Sequence, residues 1–424
     1  MRKPLHAFTT VLLACLLILS SGAVALADAA TTPAGKAVLL ASGELPPVNA
    51  KGFIAPISPR DPKATPISTA AQLSDMVTGG NYYLTQDIDL SSYNGGIWQP
   101  LMASVTLDGQ GHVIRNLRIP ASAKMRVAGL FGIIRPYDDL IIKNLGIQLH
   151  AEGITGYNAL ADGVITEYPV FAGGLVGVAD SQGTDYTISF SNCYVKGDVT
   201  GTASGANQNV LAGGLVGEIV GSAPISIVDC YTAGRVCSTS DRENSSIGGL
   251  IGRLASFSTI NNVTVDHNYS SCDVAAMNGV NIIFGVDVGG LVGSIEKGMI
   301  TNSHTSGNIS ANATKVNIGG LVGACDDTGI TNCSASGNVS ATTPEGVNSD
   351  YYFVTAGGLI GITWCPSKIS TITGCYSTGA VEAIATSSNP TSLFTMQLLV
   401  VLPANCKAAP SLTVMPLDQS MPAG

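Results

Sequence analysis

The residues able to do chemistry are few and scattered. The five histidines, His6, His112, His150, His267 and His304, include no pair four apart around a glutamate, so a zinc-peptidase helix is not expected. His150-Ala151-Glu152 has no second imidazole beside it. Paired carboxylates for glycoside chemistry must stand roughly 5 to 9.5 Å apart across a bound sugar. The candidates are Asp326-Asp327, Asp138-Asp139, and Asp87 with Asp89. Adjacent aspartates such as Asp326 and Asp327 read as a solvated turn. No Gly-x-Ser-x-Gly elbow occurs, and no Gly-rich segment leads into the Lys-Ser or Lys-Thr of a phosphate loop. Asp108-Gly-Gln-Gly111 offers one carboxylate, too few oxygens for calcium, and reads as a tight corner. The expectation is therefore no catalytic residue, no cofactor and no metal.

Composition narrows the class further. Of 424 residues 50 are Gly, above the usual ~7%, and only 12% are charged, about half the usual ~25%. The net charge of -9 with 20 Lys plus Arg argues against a nucleic-acid partner, which demands clustered basic residues. A hydrophobic fraction of 45% argues against disorder.

The chain opens with Arg2 and Lys3, an apolar run from Val11 to Leu19, and Ala25-Leu26-Ala27. This is the pattern of a signal peptide, residues 1–27, cleaved after Ala27. The apolar core is short of the ~20 residues a spanning helix needs, so no transmembrane segment is expected in the mature chain. Residues 28–66 carry seven prolines between Pro33 and Pro66 and read as an extended linker.

Repeats decide the fold. Ala128-Gly129-Leu130-Phe131-Gly132 is followed by Gly173-Gly174-Leu175-Val176-Gly177, and the signature returns at Gly213–Gly217, Gly248–Gly252, Gly289–Gly293, Gly319–Gly323 and Gly357–Gly361. Successive final glycines lie 45, 40, 35, 41, 30 and 38 residues apart, so a fixed unit carries loops of varying length. A second half also aligns, as Asn192-Cys193-Tyr194 through Val199, Asp229-Cys230-Tyr231 through Val236, and Asn332-Cys333-Ser334 through Val339. One copy departs, with Asn268 in the Cys column and Cys272 in the Gly column.

Such short units cannot bury an apolar side alone and must stack. Stacked parallel coils place Leu175, Leu215, Leu250, Leu291, Leu321 and Leu359 in one internal ladder, with Val199, Val236, Val274, Ile309, Val339 and Val381 in another. The Gly columns mark corners that require φ > 0 or close backbone approach. The expected fold is all-β, a right-handed parallel β-helix or close β-solenoid. In-register strands aim their side chains alike, which favours a ladder of buried thiols over inter-coil disulfides.

The Gly-Gly-Leu-Val-Gly copies resemble the GLUG-motif repeats of bacterial surface proteins, a motif also found in IgA-specific metallopeptidases. Ile67–Leu73, Tyr83–Leu90, Trp98 and Leu107–Ile114 are similar to the usual lead-in of such arrays. The resemblance covers about residues 67–383 and implies an extracellular stalk or adhesive region, with any chemistry carried by other domains. It divides the chain into lead-in coils with the first signature at 67–170, the repeat solenoid at 171–383, and an atypical tail at 384–424.

Binding is expected in the loops of differing length, Gly153–Phe171, Thr200–Val210 and Thr342–Thr355. The last carries Tyr351, Tyr352 and Phe353, which either stack on a sugar or another protein or pack over the coil end. In the tail, a one-base shift in the coding frame between about Glu382 and Leu393 permits an eighth signature, its Gly-Gly arising at the codons for Leu399 to Val401. A divergent tail is the alternative. The expected function is that of a secreted, non-catalytic bacterial surface stalk or adhesin-like module, whose partner is a host or cell-surface glycan or protein. The alternatives are a carbohydrate-active β-helix enzyme and the front part of a larger surface protein.

Overall fold

A computed structural model describes residues 61–384, apart from 160–168, 184, 205–208, 241–244, 259–261, 279–284, 345–350 and 364–369; beyond 384 it describes the backbone of 393–399 and 412–413. The expected signal peptide and most of the linker lie outside the described residues. The architecture is a parallel β-solenoid, as the repeats predict. Strands pair in parallel throughout, in three long sheets of 8, 15 and 16 strands.

One coil shows the plan. Val170–Gly173 belongs to the eight-stranded sheet, here sheet one. The chain turns at Gly174-Leu175 into Val176–Ser181 and then Ile188–Ser191, both in sheet two. It turns again at Asn192 into Tyr194–Lys196 and Val199–Ser204 of sheet three, and returns to sheet one one coil higher. In two later coils the sheet-two segments fuse into the single strands Val292–Thr301 and Val322–Thr331.

Short β-branched runs suit this plan because alternate side chains point into the coil. Val199–Ser204 alternates buried and half-buried residues along its whole length. Both expected ladders form. The six leucines are fully buried, and their backbones continue the stack, Leu175 N–H donating to Leu215 C=O at 2.9 Å and Leu215 N–H to Leu250 C=O at 2.9 Å. Val199 sits opposite Val236, Val236 opposite Val274, and Val274 opposite Ile309.

The ordered stack begins slightly earlier than the sequence suggests. Thr65–Ile67 is already a strand, paired with Asn81–Leu84, because Ile67 is buried in the first coil and carries its neighbours into register. A short helix follows at Ala70–Ser74; Thr69 Oγ1 accepts from Gln72 N–H at 3.2 Å as its N-cap, and Leu73 is seated in the core. At the other end Leu393–Leu399 pairs with Tyr351–Gly357, placing Leu399 opposite Gly357. That strand takes the eighth place in sheet one, at the position where the shifted frame permits the first Gly of its signature. No helix among the described residues is long and apolar enough to cross a membrane.

Candidate functional site: an axial groove outside the glycine corner

Two of the corners in each coil, sheet one to sheet two and sheet two to sheet three, are built differently. At the second corner, Asn144, Asn192, Asp229, His267, Asn302 and Asn332 hold φ between 48° and 56°. Asn and Asp tolerate this left-handed conformation better than other side chains. Their amides also bond along the stack, Asn192 Nδ2 donating to Asn144 Oδ1 at 2.8 Å and Asn144 Nδ2 to Asp108 Oδ1 at 3.0 Å. Inside this corner Cys193, Cys230 and Cys333 are free, buried thiols, and Cys193 Sγ donates to Ile142 C=O at 3.5 Å. Asn268 replaces the thiol once, its Nδ2 donating to Ile227 C=O at 2.8 Å and its Oδ1 accepting from Cys230 N–H at 2.9 Å.

The glycine corner between sheets one and two works by close approach. None of its signature glycines, such as Gly173, Gly174 or Gly213, has positive φ. A Cβ on Gly173 would lie 2.1 Å from Val176 O and 2.6 Å from Gly217 N; one on Gly217 would lie 2.8 Å from Leu211 O. Of the two reasons for a Gly column, the structure selects this one. The bare backbone lets sheet two fold back against sheet one, so the outer faces of the two sheets converge.

That convergence makes a groove of about 760 Å³ running along the solenoid. One wall is the sheet-one column Phe171, Leu211, Ser246 and Asp287, each opposite the next; the column continues beyond the groove as Asn317 and Thr355, both buried. The other wall is the sheet-two column Val178, Glu218, Arg253, Ser294 and Ala324. The walls touch across the corner: Ser246 Oγ lies 2.9 Å from Ser294 Oγ. Phe171, Val178 and Leu211 form a small apolar cluster there, separate from the main core.

The groove changes character along its length. In its early coils the two wall columns are apolar, with Ile133 and Val127 packed on that cluster and Arg126, Arg135 and Asp180 at the rim. Its later coils carry charge. Arg253 forks between two carboxylates, Nη1 at 2.9 Å from Glu218 Oε1 and Nη2 at 2.9 Å from Glu296 Oε1. Burial pushes the Glu218 carboxyl up, against the pull of Arg253. Burial also pushes Asp287 up, to about 7, while the Asn317 amide and Arg253 draw it down. Asp287 as a whole residue keeps partial exposure to the groove, but its carboxyl is enclosed, and loss of water there is the largest cause of the shift. Behind it runs a polar chain: Thr355 Oγ1 donates to Asn317 Oδ1 at 2.8 Å, and Asn317 Nδ2 donates to Asp287 Oδ1 at 2.8 Å. Asp326 lines the same groove, and its Oδ1 is buried with no hydrogen-bond partner.

No family model matches the chain. Halomucin from Haloquadratum walsbyi (strain DSM 16790 / HBSQ001) is 32% identical over 171 residues, covering 39% of this chain. The chain spans only 2% of halomucin's length. Among solved structures, a Bacteroides ovatus protein assigned as an immunoglobulin A1 protease aligns with a TM-score of 0.45 and 20% identity, over 83% of this chain and 88% of that one. A protein named IgA1 protease aligns with a TM-score of 0.45 and 15% identity, over 73% of this chain and 21% of that one.

The residues singled out in the sequence fall mostly elsewhere. Tyr351, Tyr352 and Phe353 lie in the sheet-one strand Tyr351–Gly357 rather than in a loop, because Val354 and Ala356 must enter the core and extend the pairing back to Tyr351. Gly153–Phe171 and Thr200–Val210 are likewise strand at both ends, and their middles lie outside the described residues. Asp87 accepts from Arg115 Nη2 at 2.9 Å and Asp89 from Asn116 Nδ2 at 2.9 Å, so both tie lead-in coils together. Those bonds to Asn116 and Ser91 hold the Asp89 carboxyl below its usual range.

Asp139 accepts from Thr187 N–H at 2.8 Å. Asp108 to Gly111 is a corner, with Gln110 and Gly111 at φ 52° and 75°. Asp326 is the correction: it sits within the strand Val322–Thr331 and faces the groove, and only Asp327 takes a left-handed turn conformation. Among the described residues no three His, Cys, Asp or Glu gather to hold a metal. No motif singles out the groove columns, although the sequence carries a signal for them. Two positions before the first signature Gly the chain reads Phe171, Leu211, Ser246, Asp287, Asn317 and Thr355, a varied column beside a nearly constant motif.

Proposed function

We propose that this chain is an exported, non-catalytic surface solenoid, a stalk or adhesin-like module that presents its axial groove to a partner outside the cell. The observation that carries the reading is the contrast within each repeat. Core ladders and both corners recur coil after coil, as a rigid rod requires, whereas the groove columns change from apolar to polar. The export-type segment at Met1–Ala27 supports the location.

The test is expression of the whole chain in a bacterial host, followed by amino-terminal sequencing of protein from the medium and cell surface. The expected product begins at Asp28. The purified protein is then incubated with neutral and acidic polysaccharides, and no new reducing ends are expected. Protein held in the cytoplasm would overturn the location.

One observation favours a second reading, a polysaccharide hydrolase. Asp287 stays protonated to about pH 7, as a general acid must, and Glu296 stands nearby as an Arg253-held carboxylate. Reducing ends that vanish in Asp287→Asn would establish it over the first.

A further inference from the structure

The groove has the shape and chemistry to hold one class of ligand. From Ile133 to Ala324 its sheet-two wall crosses six coils, five steps of ~4.8 Å, or about 24 Å in a straight line. This length suits an extended polymer. Both walls are sheet faces whose backbone groups are already spent in the parallel ladders, so a peptide cannot add a strand here. Recognition falls to side chains.

Those side chains disfavour a polyanion, because the carboxyl groups facing the groove outnumber its three guanidiniums even when Asp287 holds its proton. Arg253 is already shared by Glu218 and Glu296, and Arg135 Nε lies 3.9 Å from Asp180. What remains on offer is a set of hydrogen-bond acceptors beside an apolar shelf. Asp287 is backed by Asn317, Asp326 carries a buried oxygen with no donor, and Phe171, Val178 and Leu211, though mostly covered, floor the groove with a narrow carbon strip. Hydroxyls beside apolar ring faces are the complement of such a surface.

We propose that the axial groove binds a linear, uncharged polysaccharide laid along the solenoid axis. Its hydroxyls exchange hydrogen bonds with Asp287 and donate to Asp326, and its sugar faces rest on the edges of Phe171 and Leu211 that line the groove. The proposal rests on the extracellular, non-catalytic reading above and names the partner of that surface.

Native gel electrophoresis of the full chain through gels containing soluble β-glucan, dextran, mannan, xylan, galactan or polygalacturonate tests it. At least one neutral glycan is expected to retard the protein. Asp287→Ala should weaken that retardation by about tenfold and Asp326→Asn by about threefold, the latter without loss of fold, since the Asp326 oxygen bonds nothing in the free protein. Lys196→Ala, on exposed sheet three, should leave it unchanged. No retardation by any neutral glycan, retardation by polygalacturonate alone, or retardation that Asp287→Ala and Asp326→Asn leave intact would each overturn the proposal. New reducing ends in the same samples would instead sink the non-catalytic reading while leaving the binding site standing.

Discussion

The glycine corner and the asparagine corner of this solenoid solve one problem, redirecting a strand within a few residues, by opposite means. The glycine corner removes side chains so that backbone can touch backbone, and a Cβ at Gly213 would meet Val216 O at 2.1 Å. The asparagine corner keeps its side chains and accepts a left-handed residue, filled here by Asn, Asp, His and, at position 374, Gly. One corner is constrained by contact and the other by conformation. This is why the first repeats almost without change and the second varies. The difference has a functional consequence: of the two, the contact corner folds the sheets back on themselves, and the groove lies outside it.

The comparison can be broken most forcefully at the contact corner. Gly213→Ala is expected to cost about 3 kcal/mol or more, read as a fall in the urea midpoint, because backbone atoms of two coils must move. A loss below ~1 kcal/mol would show that the corner relaxes easily. Inside the other corner, Asn268→Ala leaves the buried Cys230 N–H without a partner and takes one of two donors from Ile227 C=O, and should cost about 2 kcal/mol. Asn268→Cys should recover part of that loss, since Cys occupies the same column in its neighbours. At the turn residue itself, Asn302→Gly frees φ but loses the Nδ2 bond to Asp266 Oδ1 and should cost about 1 kcal/mol. Asn302→Val loses the bond and adds φ strain, and should cost about 2 kcal/mol.

The groove outside the contact corner should also report on pH. Asp287 keeps its proton to about 7 when folded, while the unfolded chain ionises near ~3.9. Its contribution to stability is complete below the unfolded value and is lost as pH rises through that window, because only the unfolded state releases the proton freely. Thermal unfolding of Asp287→Asn against the parent should therefore show a larger advantage for the variant at pH 8 than at pH 4. An advantage equal at both values would place the Asp287 carboxyl in solvent. The smallest effect is expected among the thiols. Burial pushes Cys230 up, whereas hydrogen bonding from Cys333 draws the more exposed Cys375 down. Brief iodoacetamide treatment of the native protein, read by mass spectrometry, should mark Cys375 well before Cys230.

Much of this was legible in the chain before any coordinates. Seven signatures and their aligned second halves require stacking, since no single unit can bury its own leucine. The leucine and valine ladders, the free thiols and the substitution of Asn268 into the thiol column all follow from repeat alignment with the in-register geometry of parallel strands. Local pattern suffices where one residue type must recur at one place in every coil.

The site lay beyond that logic. Asp287 and Glu296 are nine residues apart and Asp326 is thirty further on, and nothing in their spacing joins them. They meet because the coil closes on itself and successive coils stack, so that sequence positions 30 to 45 apart become neighbours across one step. Tyr351 to Phe353 drew attention as a local aromatic cluster, yet strand pairing claims that segment for sheet one. The sequence by itself determined the repeating unit, its stacking and its core, because those depend on periodicity. Only the tertiary structure decided which sheet faces converge, and with them the groove, its charges and its desolvated carboxyl, because convergence depends on how closely two backbones can approach at a corner without side chains.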